Sequence, residues 1–206
     1  MSKRLAGRLV VLGITGSIAA YKSPEIVRAL RAEGADVQAL LTPAATRFVS
    51  PLTLRTLTGR AVDADLLDLL PDGRIGHIVA ADSADAMLIA PATAQWIGAM
   101  AGGLAGDVVT AACLATTAPV IVAPAMDGEM WAHAATQTNV ARLGDDFGYT
   151  LVAPESGALA SGATGVGRLA ETAAIVDAVV AAIGSAPIRE PNESRRPPAV
   201  PAGDLS

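Results

Sequence analysis

Apolar residues fill Leu9–Ile14, interrupted only by Gly13, and a Gly-x-x-Gly-Ser turn follows at Gly13–Ser17. A near-continuous run of this length predicts a strand buried on both faces, as in a parallel sheet. Beyond the turn, Ile18, Ile26, Val27 and Leu30 predict a helix ending near Gly34. Within it, Ser23–Pro24–Glu25 reads as an N-cap with proline in the first turn, hence a kink or a restart. Further strands are expected at Asp36–Leu41, Ala86–Ala90, Val120–Ala123 and, with a weaker pattern, Thr150–Ala153. Helical patterns lie between them: one opened by Ser50–Pro51 and closed by Gly59, then Thr93–Met100, Val108–Ala115 and His133–Leu143, with Thr172–Ile183 last. Strand and helix alternate, so the expected class is α/β, a parallel sheet covered on both faces. After Gly184 the chain turns to Pro, Glu, Arg and Ser. One domain at 1–184 and a disordered tail or linker at 185–206 are expected.

Composition narrows the function. Of the 206 residues, 51% are hydrophobic and 17% charged, so apolar surface must be covered, for which self-association is one route. Net charge is −5, which argues against a general nucleic-acid binder. No stretch reads as a membrane span, and the start Met1–Leu5 does not read as a secretory leader. Cys113 is the one cysteine, and His77 and His133 are the two histidines. An intramolecular disulfide is excluded, and a metal site is not expected. These facts suit a cytoplasmic protein whose hard chemistry comes from an organic cofactor.

In such sheets ligands bind beyond the carboxyl ends of the strands. Four stretches fall there: Gly13–Ser17, Thr42–Phe48, Pro91–Gln95 and Pro124–Trp131. The glycine turn either cradles a phosphate or merely packs strand on helix. The second strand ends in Thr42 rather than in the carboxylate that grips a dinucleotide's ribose. Hydroxyls there suit a mononucleotide such as FMN. Phe48 packs on the flavin ring or belongs to the core.

The ordered segments GITGSIAAYKSPEIVRALRAEGADV, GHIVAADSADAMLIAPATA, GGLAGDVVTAACLAT, APAMDGEMW and GALASGATGVGRLAE resemble the homo-oligomeric flavin-containing cysteine decarboxylases over about residues 8–183. The resemblance implies a Rossmann-like three-layer fold with FMN at a trimer interface, and trimers that assemble further into dodecamers. It implies Gly16, Ser17, Thr42, Phe48, Pro91, Ala92, Thr93, Ala94, Asp107, Ala125 and Met126 as cofactor-binding residues. His77, Asp127 and Ser161 fall on catalytic positions, Met130 and Arg168 on substrate positions, and 157–168 on a flap. The implied substrate is a cysteine conjugate, either phosphopantothenoylcysteine or a peptide with C-terminal cysteine. A saturated cysteine carboxylate has no electron sink. Oxidation at the carbon bearing sulfur places the carboxyl β to C=S, and loss of carbon dioxide then leaves an ene-thiol. A non-catalytic flavin-binding homologue and a flavin prenyltransferase are rival readings. The CTP-using ligase half that often accompanies this domain is not seen, and ligation is not expected of this chain.

Two positions depart from the family's pattern. Asp127 stands where Asn is usual, and Ser161 where a reducing cysteine is usual. Ionised Asp cannot donate to a substrate carboxylate. It is either protonated in the complex or meets an amide N–H. Serine cannot perform thiol redox chemistry, and Cys113, in an apolar helix, is expected in the core. Then either flavin reduces the ene-thiol with another proton donor, or the ene-thiol is the product. Other readings stay open: Asp107 as a helix cap, Met126 and Met130 as core, Arg168 as a loop charge. His133 is expected to be structural and Trp96 to sit at a subunit contact.

Overall fold

The computed structural model describes residues 3–184. The expected tail at 185–206 lies outside the described residues. In chain order the elements are β1 (Leu9–Ile14), α1 (Ser23–Ala32), β2 (Asp36–Leu41), α2 (Pro51–Thr58), α3 (Gly76–Ser83), β3 (Ala86–Ala92), α4 (Ala94–Ala101), α5 (Val108–Ala115), β4 (Val120–Pro124), α6 (Gly128–Ala132), α7 (Ala134–Asp145), β5 (Thr150–Leu151), β6 (Glu155–Ala158), β7 (Thr164–Arg168) and α8 (Thr172–Ile183). The first five strands form one parallel sheet in the order β2-β1-β3-β4-β5. The last two form an antiparallel hairpin.

Alternation along the strands divides the core between two faces. Val10, Leu12 and Ile14 pack with Ile26 and Leu30 of α1, Leu54 of α2 and Ile175 and Val179 of α8. Leu9 and Val11 pack on the other face with Ala80 of α3, Ile97 of α4, Val109 of α5 and Leu143 of α7. The result is the parallel sheet covered on both faces that the pattern predicts, in the three-layer Rossmann-like arrangement that the resemblance implies. Among the described residues no helix is long and apolar enough to cross a membrane.

Several local expectations need correction. The first helix does restart, but a 3-10 turn at Ile18–Lys22 precedes α1 and Lys22, not Ser23, is its N-cap position. Ser23 is fully buried, and its hydroxyl has no hydrogen-bond partner. Trp96 is 1% exposed inside its own chain, so it cannot sit at a subunit contact. The fifth strand pairs over only Thr150–Leu151. Cys113 is in the core as expected, where burial pushes its thiol up and leaves it a poor nucleophile.

The topology collects chemistry at one end. A helix that leads into a parallel strand runs opposite to it, so its N-terminus lies at the strands' carboxyl end. The starts of α3 and α5, with His77 and Asp107, therefore share an end of the sheet with Ser17, Thr42, Thr93 and Asp127.

Candidate active site

A cleft of about 670 Å³ opens at this end. Ser17, Lys22, Ala125, Met126 and Asp127 line one side, while Ala158, Leu159, Ala160, Ser161, Gly167 and Arg168 of the hairpin line the other. The hairpin is docked through backbone. Met126 N–H donates to the Gly167 carbonyl at 3.0 Å. A Cβ on Gly167 would overlap the Met126 carbonyl oxygen, so only glycine permits this approach. At the hairpin tip, Ser161 Oγ donates to Asp127 Oδ2 at 2.6 Å. Asp127 also starts α6, its Oδ1 accepting the Glu129 N–H at 3.2 Å. These bonds, Ser161's first, hold the Asp127 carboxyl below the usual range.

Gly16 and Ser17 form the turn beside it. A Cβ on Gly16 would overlap that of Ala44, so turn and Thr42–Phe48 loop touch. Ser17 Oγ accepts the Ala19 N–H at 3.3 Å, which opens the 3-10 turn. Thr15, missed in the sequence, ties the turn to the third strand. Its hydroxyl donates to the Pro91 carbonyl at 2.7 Å and accepts the Thr93 N–H at 3.0 Å. A hydroxyl between a buried strand and a glycine turn was the available signal. Lys22 was also missed; it is a cation that closes the 3-10 turn and lines the cleft.

Apart from Ala125, Met126 and Arg168, which line it, the remaining expected residues lie outside this cleft. Thr42 Oγ1 accepts the Ala45 N–H at 3.3 Å, and Phe48 is 44% exposed, which removes it from the core. Thr93 caps α4 through the Trp96 N–H. Pro91 and Ala92 are buried at the end of β3. Asp107 closes a capping box, its Oδ1 accepting from Val109 and Thr110 at 2.9 Å each, which supports its reading as a helix cap. Ala94 and Met130 line a second hollow with Glu129, His133 and Thr136. Met130 is 51% exposed and is not core, whereas Met126 packs partly on the core. His133 caps α7, its Nδ1 accepting the Ala135 N–H at 3.1 Å. Arg168 lies over Gly157 and pairs loosely with Glu171 at 3.7 Å.

His77 is half-buried in the first turn of α3 and does not line the cleft of its own chain. Burial lowers its imidazole, favouring the neutral ring. Asp63 sits against this turn: a Cβ on Gly76 would lie 3.4 Å from its Cγ. Gln38 Nε2 donates to Asp63 Oδ2 at 3.4 Å, but burial outweighs this and pushes the carboxyl up to about 6. The unfolded chain ionises Asp63 from about pH 4. Stability from this group is therefore complete below that pH, falls as pH rises, and is lost above about 6. Asp63→Asn is expected to exceed the parent chain by about 1–2 kcal/mol above pH 6 and to match it near pH 4, as read by urea unfolding.

The comparisons with known proteins bear on this geometry. The family model Flavoprotein matches residues 1–184. The chain belongs to the Flavoprotein family. As a Flavoprotein domain it is 46% identical over 177 residues to the coenzyme A biosynthesis bifunctional protein CoaBC of Escherichia coli K12, covering 86% of this chain and 43% of that protein. The Bacillus subtilis CoaBC is 44% identical over 172 residues, covering 84% and 42%. The chain thus spans less than half the length of these relatives. Among solved Flavoprotein-like structures, a cysteine-to-serine variant of PPC decarboxylase complexed with pantothenoylaminoethenethiol superposes with a TM-score of 0.73 at 31% identity, covering 84% of this chain and 96% of that one. The FMN-dependent cysteine decarboxylase SpaF superposes at 0.76 and 30%, covering 87% and 97%.

Proposed function

We propose that this chain binds FMN and catalyses oxidative decarboxylation of the cysteine carboxyl of 4′-phosphopantothenoylcysteine, giving 4′-phosphopantetheine for coenzyme A biosynthesis. The observation that carries the reading is the hairpin-covered cleft at the strand tips, which gathers Ser17, Met126, Asp127, Ser161 and Arg168. It stands in a chain 46% identical to a coenzyme A biosynthesis protein.

The residues present fit FMN. The Gly16–Ser17 turn brings the Ile18 N–H and the Ser17 hydroxyl to the strand tips, two donors that suit a phosphate. No acidic residue occurs between Gly13 and Pro24 or between Thr42 and Ser50, and Phe48 offers an exposed ring. These residues, with Pro91, Ala92, Thr93, Ala94, Asp107, Ala125 and Met126, would hold the cofactor. When bound, it would supply an acceptor for the two electrons of oxidation at the carbon bearing sulfur and, once reduced, the same two electrons for the ene-thiol, so that conversion to phosphopantetheine is redox-neutral overall. Arg168 and Lys22 orient the anionic groups of the substrate, while Met130 and His77, which lie outside the cleft of their own chain, would add a wall and move a proton from an associated copy.

His77 does not line the cleft of its own chain, so self-association into trimers or dodecamers, which would bring it to a neighbour's cleft, belongs to the proposal. Ile75 and Ile78 flank it at 47% and 40% exposure, and Leu67 is 84% exposed in the segment before them. Exposed apolar side chains of this kind are what subunit contacts cover. A cytoplasmic location and the absence of nucleic-acid or membrane partners complete the reading.

Ser161 favours one rival, a peptidyl-cysteine decarboxylase that releases the ene-thiol, because the flap carries no thiol. Incubating flavin-loaded protein with phosphopantothenoylcysteine and following products by mass separates the two. Phosphopantetheine is the expected product. A product two hydrogens lighter than phosphopantetheine is the ene-thiol and limits the chain to oxidation and decarboxylation. No turnover with FMN retained overturns the substrate and leaves a flavin-binding homologue or a prenyl-transferring relative.

A further inference from the structure

The two residues that depart from the family's pattern touch each other. Ser161 and Asp127, 34 positions apart, share a 2.6 Å hydrogen bond across the cleft. Both Asp127 oxygens have donors, Ser161 Oγ on one and the Glu129 N–H on the other. Charged hydrogen-bonded acceptors of this kind stay ionised. Lys22 and Arg168 line the same space. The cleft is therefore bipolar, with one anion tied to the hairpin tip and two cations. The substrate proposed above brings a carboxylate and amide N–H groups into this space, and the inference rests on that reading.

We infer that the Asp127–Ser161 pair determines specificity: it repels the substrate carboxylate from the α6 end of the cleft, turns it toward Arg168 and Lys22, and accepts from a substrate amide N–H. Two like charges some 5–6 Å apart in a partly wet cleft change affinity about tenfold. An N–H donor meets no such repulsion, because an ionised carboxylate is purely an acceptor. Ser161 adds to this by fixing the Asp127 carboxylate at the hairpin tip, on the wall of the cleft.

The test uses flavin-loaded protein and two probes that cannot be oxidised at sulfur: phosphopantothenoylserine and phosphopantothenoylethanolamine. They differ only in the carboxylate. Calorimetry gives the ratio of their affinities in the parent chain and in Asp127→Asn. Asparagine still caps α6, so the variant is expected to fold and to keep its flavin spectrum. The expected result is a shift of the ratio by about tenfold toward the serine probe, shrinking as salt is raised. Binding of both probes with an unchanged ratio overturns the inference and leaves the substrate reading standing. Binding of neither probe to flavin-loaded parent protein overturns that reading and the inference with it.

Discussion

His77→Asn is expected to keep its flavin colour and to lose turnover of phosphopantothenoylcysteine by a factor of about 10² to 10⁴, the range a positioned acid–base group contributes. The side chain is half-buried at the start of α3, and burial favours the neutral ring. A neutral imidazole can donate from one nitrogen and accept at the other, which a carboxamide imitates in shape but not in proton transfer. The position lies in the first turn of a helix whose core contacts come from Val79, Ala80 and Ala81, so unfolding midpoints should move little. Single-turnover absorbance at the flavin band reads the chemistry, and the spectrum of the purified variant reads cofactor retention. Loss of the cofactor instead would make His77 a structural residue.

Gly16→Val should produce the opposite pattern, a folded chain that fails to retain flavin. Any Cβ at this position overlaps Ala44 Cβ and lies 3.3 Å from the Ala44 carbonyl carbon. Neither neighbour has a flexible end that can move aside, so the glycine turn and the Thr42–Phe48 loop must separate. The strands beneath them remain paired from Leu9 with Asp36 to Ile14 with Leu41. Flavin content per chain is expected to fall more than tenfold, with near-parental circular dichroism and a melting point a few degrees lower, as for overpacking of about 1–3 kcal/mol. Full retention of flavin in this variant would remove the turn from the cofactor site.

The strands were legible because parallel strands are buried on both faces and read as apolar runs whatever their neighbours. β1 and β2 have the expected bounds, and α8 does as well. α3 was not legible. Its sequence Gly76–Ser83 has small or apolar residues on nearly every side, so no single face stands out. The β6–β7 hairpin shows no alternating pattern either, being built largely of Gly, Ala and Ser. Its place depends on the backbone contact between Gly167 and Met126 and on the Ser161–Asp127 bond at its tip, neither of which an alternation of apolar and polar residues would announce.

For the site, the residue types at Ser17, Asp127, Ser161 and Arg168 stood out in the sequence through their motifs. Their gathering in one cleft, and the absence of His77 from it, did not. The order of apolar runs and glycine turns by itself determined a parallel α/β sheet with its chemistry at the strand tips, because burial and chain direction are local properties. Only the tertiary structure decided that Ser161 grips Asp127 and that Phe48 and Met130 face outward. Such facts depend on distances between residues far apart in the chain, which packing sets and local pattern does not encode.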